Sequence, residues 1–259
     1  MKKAMYSATN IPCENVHLTT NSKVGSNVMT INFLPGGNPL IKKDGTVLTD
    51  IPGTCDGVCD SCENNGCYAV RDAKRFHNTV LPATIENTLL LRNNIVELSN
   101  QIITALKNDD SIKMIRWHAS GEIDSLAHWQ MILGIAHIFP DRLFYIYTKR
   151  FEIVCPWLDD NNLPKNLVLN FSIWHEYGLT EYLKYAHKKN VKAFAFVDGQ
   201  FDYESHGLHI ETMCPAYIID GTYKNGNKKV KRIDGMKCGI CKNRCNCKDG
   251  FKVCGCIDH

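Results

Sequence analysis

Four cysteines fall within thirteen residues, at Cys55, Cys59, Cys62 and Cys67. The first three are spaced C-x3-C-x2-C, and Gly57 and Gly66 sit between them. Close thiols on a loop that glycine lets curl can converge on one point without long-range help. A soft metal or an iron–sulfur cluster needs that convergence. A zinc knuckle, disulfides and buried apolar cysteines are the competing readings. A zinc site of four cysteines normally joins two separated C-x2-C knuckles, so contiguous thiols at uneven spacing suit a cluster better.

The chain has 259 residues and thirteen cysteines. The length suits one large domain, or one domain with a small appendage. The N-terminal stretch from Met1 to Asn10 carries no apolar run of the secretory kind, and no stretch approaches the length of a membrane span. The expected compartment is therefore the cytoplasm, where disulfides do not persist and clustered thiols read as ligands. Cys13 and Cys155 stand alone and read as small buried apolar residues. A net charge of +3 says little about partners.

Residues 1–54 read as an extended, hairpin-rich segment packed on the core. Val28–Leu34 alternates before the turn Pro35-Gly36-Gly37, and Lys43-Asp44-Gly45-Thr46 marks a hairpin. Residues 55–205 read as a β/α core. Apolar residues at helical spacing predict one long helix over 83–107, then a strand at 113–118 and a helix at 125–138. Strands at 143–147, 166–173 and 191–197 follow, with a short helix at 178–189 before the last. Alternating strands and helices imply βα units and a mostly parallel sheet. A full or partial (β/α) barrel suits the length better than a doubly wound sheet. Either fold gathers residues beyond strand ends at one opening. His118, Ser120, Glu122, Thr148, Lys149, Ser172, His175 and Asp198 are expected there. Ser120, Glu122, Thr148 and Ser172 are the candidates for holding a cofactor. Glu122 is almost as well explained as a favourable charge at the following helix. His118 and His175 read as ordinary polar residues, and Trp117, Trp129 and Trp174 as core.

Residues 206–259 form a cysteine-rich segment with Cys214, Cys238, Cys241, Cys245, Cys247, Cys254 and Cys256. Cys238 and Cys241 make a C-x2-C knuckle, and its low apolar content leaves folding energy to a metal or cluster. Two sites compete: a second cluster using the C-x2-C-x3-C spacing at 238–245, and a zinc ribbon pairing Cys238 and Cys241 with Cys254 and Cys256. Ten Lys or Arg lie between Lys224 and Lys252. They either offset thiolate charge or grip nucleic acid.

Two resemblances rest on these residues. Cys55-x3-Cys59-x2-Cys62 resembles the signature of radical S-adenosylmethionine enzymes, and Ser120-Gly121-Glu122-Ile123 resembles a degraded form of their Gly-Gly-Glu-Pro motif. The chain is more closely similar to the phage "gene product eighty-eight" family. Asn21–Gly25, Leu34-Pro35-Gly36, Cys67-Tyr68-Ala69, Cys214-Pro215-Ala216 and Cys238-x2-Cys241 carry that likeness, from about residue 21 to the C-terminus. The first resemblance implies a radical-type barrel and a [4Fe-4S] cluster on Cys55, Cys59 and Cys62. It also implies S-adenosylmethionine chelating the open iron, Glu122 holding the methionine ammonium, and an external electron donor. The phage likeness implies a host cytoplasm. Ser61, Ser120 and Ile123 depart from the pattern, and Cys67 offers a fourth thiolate that would close the iron to S-adenosylmethionine. A non-catalytic redox or structural cluster protein is therefore the second reading, and a zinc-stabilised nucleic-acid-binding protein the third. Substrate and oligomeric state are not legible.

Overall fold

The computed structural model describes residues 4–20, 28–55, 67–197, 199–213, 217–222, 228–232 and 252–256. Its centre is an eight-stranded, mostly parallel sheet. Four strands precede the first helix: β1 (Leu18–Thr20), β2 (Val28–Ile31), β3 (Leu40–Ile41) and β4 (Val47–Thr49). Helices α1 (Tyr68–Arg75), α2 (Val80–Asn93) and α3 (Ile95–Asn108) lead to β5 (Met114–Trp117). Then come α4 (Leu126–Ile138), β6 (Leu143–Thr148), α5 (Phe151–Asp160), β7 (Leu167–Trp174), α6 (Leu179–Tyr185) and β8 (Val191–Phe196). The chain closes with β9 (Thr212–Met213), β10 (Tyr217–Thr222), β11 (Lys228–Arg232) and β12 (Val253–Cys256).

The strand order is β1-β2-β5-β6-β7-β8-β12-β9. Strands β2, β5, β6, β7 and β8 lie side by side in chain order. Right-handed crossovers then put every connecting helix on one face, unlike a doubly wound sheet with its order reversal. The packing agrees. Leu98, Trp129, Val154 and Tyr182, from four successive helices, share one core with Ile31, Ile115, Ile146, Phe171 and Ala193 of the sheet. Among the described residues no pairing joins β1 to β9, so these strands form an open sheet. The sheet draws strands from all three stretches distinguished in the sequence, since β2 and β12 both pair inside it.

The hairpin at 43–46 is present as the β3–β4 pair. The long helix expected over 83–107 is two helices. Asn94, with φ −153° and ψ 71°, breaks it, and its side chain accepts from Glu97 N–H as the cap of α3. The apolar period runs across this break, so periodicity alone reads through it. Helix α5 was not expected: Pro156 within Phe151–Asp160 argues against a helix, yet it falls in the second half of ten residues. Ser125, not Glu122, caps α4, accepting from His128 N–H at 3.2 Å.

Candidate functional site

The loop entry at 52–55 is fixed by backbone geometry. Thr54 N–H donates to Leu34 O at 2.9 Å and Cys55 N–H to Gly36 O at 3.3 Å. Arg92 of α2 reaches across, donating to Pro52 O at 2.8 Å and Gly53 O at 3.1 Å. Its fork also grips Asp124, Nη2 to Oδ1 at 2.6 Å and Nε to Oδ2 at 3.2 Å. One guanidinium thus ties the entry of the cysteine loop to the loop after β5. Arg92→Ala is expected to cost about 2 kcal/mol in urea unfolding, from a charge-assisted fork and two carbonyl bonds. Arg92→Lys keeps the charge without the fork, and full recovery by Lys would contradict this account.

Glu122 is buried beside this entry. Its N–H donates to Thr54 Oγ1 at 2.8 Å. Thr148 Oγ1 donates to one carboxylate oxygen at 2.8 Å, and Lys149 N–H to the other at 3.1 Å. Desolvation raises the Glu122 pKa, opposed first by the Lys149 charge and then by these hydrogen bonds. Each oxygen keeps a further lone pair. Gly121 holds the turn at φ +82°, where a Cβ would stand 2.7 Å from Thr54 Oγ1 and 2.9 Å from Phe33 Cβ.

Cys55 and Cys67 bracket the loop. Cys67 is the N-cap residue of α1, and Tyr68 donates its hydroxyl to Ala119 O, docking that helix start beside the end of β5. The Cys55 thiol is within electrostatic range of Glu122, Cys67 and Lys149. Desolvation, with Glu122 adding to it, pushes its pKa up to about 12. Cys59 and Cys62 lie outside the described residues, as do Asp198, Cys214, Cys238, Cys241, Cys245 and Cys247. Among the described residues no three His, Cys, Asp or Glu side chains form a group that would hold a metal ion. Cys254 is buried in β12, in register with Phe194 of β8, and Cys256 occupies the register position of Phe196.

The remaining expected residues divide. Ser120 donates its hydroxyl to Phe33 O at 3.0 Å and braces the β2 end. His118, at φ 56°, packs its ring between Phe33 and His128, so it is a core histidine. His175 stacks on Phe201, its N–H donating to Tyr203 Oη at 3.0 Å. Ser172 lies within β7 rather than after it, because the strand runs on to Trp174.

Sequence reasoning missed the sheet face opposite the helices. Side chains alternate along strands, so Thr30, Arg116, Tyr145, Tyr147, Asn170, Ser172, Trp174, Lys192 and Phe194 all point there. The available signal was a polar residue breaking an apolar strand: Asn170 and Ser172 in Leu167–Trp174, and Lys192 in Val191–Phe196. Lys149 reaches toward this face, its Nζ 5.5 Å from the Trp174 ring centroid.

These features define an α/β protein with a mostly parallel sheet, a cysteine-bracketed loop at the strand ends and a polar face away from the helices. The family model described as Gene product 88 matches residues 17–248, and the chain belongs to that family. No curated protein and no solved structure matches the chain. Among the described residues no helix is long and apolar enough to cross a membrane.

Proposed function

We propose that the chain is an iron–sulfur protein of the radical S-adenosylmethionine kind, with a partial βα barrel whose polar face receives cofactor and substrate. Cys55, Cys59 and Cys62 would hold a [4Fe-4S] cluster, which when bound supplies the electron for reductive cleavage of S-adenosylmethionine. One observation carries the reading: Cys55 and Cys67, the two ends of the cysteine loop, return to within electrostatic range of each other, and Cys55 to within range of Glu122. Thr148 and Lys149 orient the Glu122 carboxylate and leave lone pairs for an ammonium group. An electron donor is the implied partner, and the cytoplasm, of a host where the gene is phage-borne, the implied compartment.

The nearness of Cys67 to Cys55 also favours a second reading. With Cys67 as fourth ligand the iron is closed, and the cluster serves electron transfer or structure. A second cluster or zinc in the C-terminal segment would include Cys254, whose place in the main sheet joins such a site to the core.

The test is electron paramagnetic resonance on anaerobically purified, dithionite-reduced protein, with iron and zinc quantified on the same sample. A signal that changes on adding S-adenosylmethionine supports the enzyme reading. A signal that ignores it supports full thiolate ligation, and zinc without iron sinks both. Cys59→Ala is expected to remove one cluster's iron and absorbance. Glu122→Ala is expected to weaken S-adenosylmethionine binding at unchanged iron content.

A further inference from the structure

The sheet face away from the helices carries two cations in its strands, Arg116 on β5 and Lys192 on β8. Strands β2, β5, β6, β7 and β8 contain no Asp or Glu at all. Lys192 is only 2 % exposed. Between the two cations run Tyr147 and Asn170, paired in register, and Asn170 is in turn paired with Lys192. The Arg116 guanidinium lies 5.3 Å from the Tyr147 ring centroid, and Tyr147 meets Phe194 edge-on at 5.2 Å. These residues form one continuous band across four strands.

Three polar atoms on this face are buried without a hydrogen-bond partner: Asn170 Oδ1, Ser172 Oγ and Thr30 Oγ1. Asn170 is fully buried and its amide already donates to Ile146 O at 3.2 Å, which leaves the carbonyl oxygen facing nothing in the protein. A buried polar atom left unmatched costs about 1–3 kcal/mol. Three of them on one face that also carries two cations mark a surface built for an occupant. The positive charge selects an anion, and the partly exposed rings of Tyr147 and Phe194 suit an organic body.

We propose that this face binds a small organic anion through its phosphate or carboxylate, with Arg116 and Lys192 opposing the charge and Asn170 and Ser172 bonding the body. This names the substrate class for the enzyme reading above and rests on that reading for its role, though not for its geometry.

The experiment is calorimetric titration of the full-length, anaerobically purified protein with adenosine 5′-monophosphate, benzoate and inorganic phosphate. At least one organic anion is expected to bind. Preference for the nucleotide identifies phosphate as the acid group, and preference for benzoate identifies carboxylate. Asn170→Asp, which puts a negative charge in the middle of the band, is expected to weaken binding by about tenfold or more, as are Arg116→Gln and Lys192→Met. Ser172→Ala removes a hydroxyl that bonds nothing else, so it is expected to leave the melting temperature unchanged and weaken binding several-fold. No binding of any probe at millimolar concentration overturns the proposal, as does unchanged affinity in Ser172→Ala or tighter binding in Asn170→Asp. Anion binding in a protein whose cluster ignores S-adenosylmethionine supports this site and sinks the enzyme reading. A cluster that responds, in a protein that binds no anion, overturns this site alone.

Discussion

Gly53→Ala is expected to cost about 4 kcal/mol or more, enough to unfold a domain of ordinary stability. A Cβ at Gly53 would stand 1.9 Å from Gly36 O and 2.4 Å from Pro35 O. Both are backbone atoms, and the same two segments are stitched by Thr54 N–H to Leu34 O and Cys55 N–H to Gly36 O. Relief therefore requires separating the loop entry from the β2 extension, which moves Cys55. Urea unfolding measures the loss. Gly134→Ala supplies the control, because nothing lies within 4 Å of a Cβ there. In the middle of α4 it is expected to stabilise by up to about 1 kcal/mol. A Gly53→Ala protein within about 1 kcal/mol of the wild type would show that the close approach is not required.

The second large effect is on acid stability. His128 is fully buried, and Asp124 N–H donates to its Nδ1 at 3.2 Å. That bond assigns the ring proton to Nε2 in the neutral form. Burial pushes its pKa down to about 3, with the Asp124 charge opposing. His118, stacked against it, is pushed well below its ordinary value by burial, by His128 and by Arg116. The native state therefore holds His128 neutral where the unfolded chain would protonate it. Its contribution is intact above the unfolded pKa of about 6.5 and is lost as pH falls toward 3. At about 1.4 kcal/mol per pH unit, the loss is about 2 kcal/mol at pH 5 from this ring alone. His128→Asn is expected to remove that share of the difference in urea stability between pH 7.5 and pH 5, whatever it does to stability at neutral pH. An equal pH dependence in both proteins would reassign the acid sensitivity to other groups.

The parallel order was legible because β5 to β8 are short apolar runs separated by helical periods, and that rhythm survives in the sequence whatever the side chains do. Helix boundaries were legible only where a cap announced them, as Ser125 does; Asn94, the second of two asparagines inside an apolar period, was read through. Glu122 was found from its place after a strand. Its partners were only partly found, since Thr148 and Lys149 come from the next strand's end but Thr54 and Arg92 come from loops and helices that only the fold brings near. The polar sheet face escaped because a strand buried on both sides shows no clean alternation: all eight residues of β7 are buried, and Asn170 reads as an interruption rather than as one side of a surface. Which cysteines share a centre depends on segments outside the described residues.

Strand β12 lies between β8 and β9, although it is the last strand to be made. On a ribosome, β8 and β9 therefore emerge with a vacancy between them that no earlier segment fills. Until about residue 256 has cleared the exit tunnel, β8 presents an unpaired parallel edge, and unpaired edges recruit other chains. Rare codons late in the message, or premature termination before Val253, would then be felt as aggregation rather than as loss of a tail.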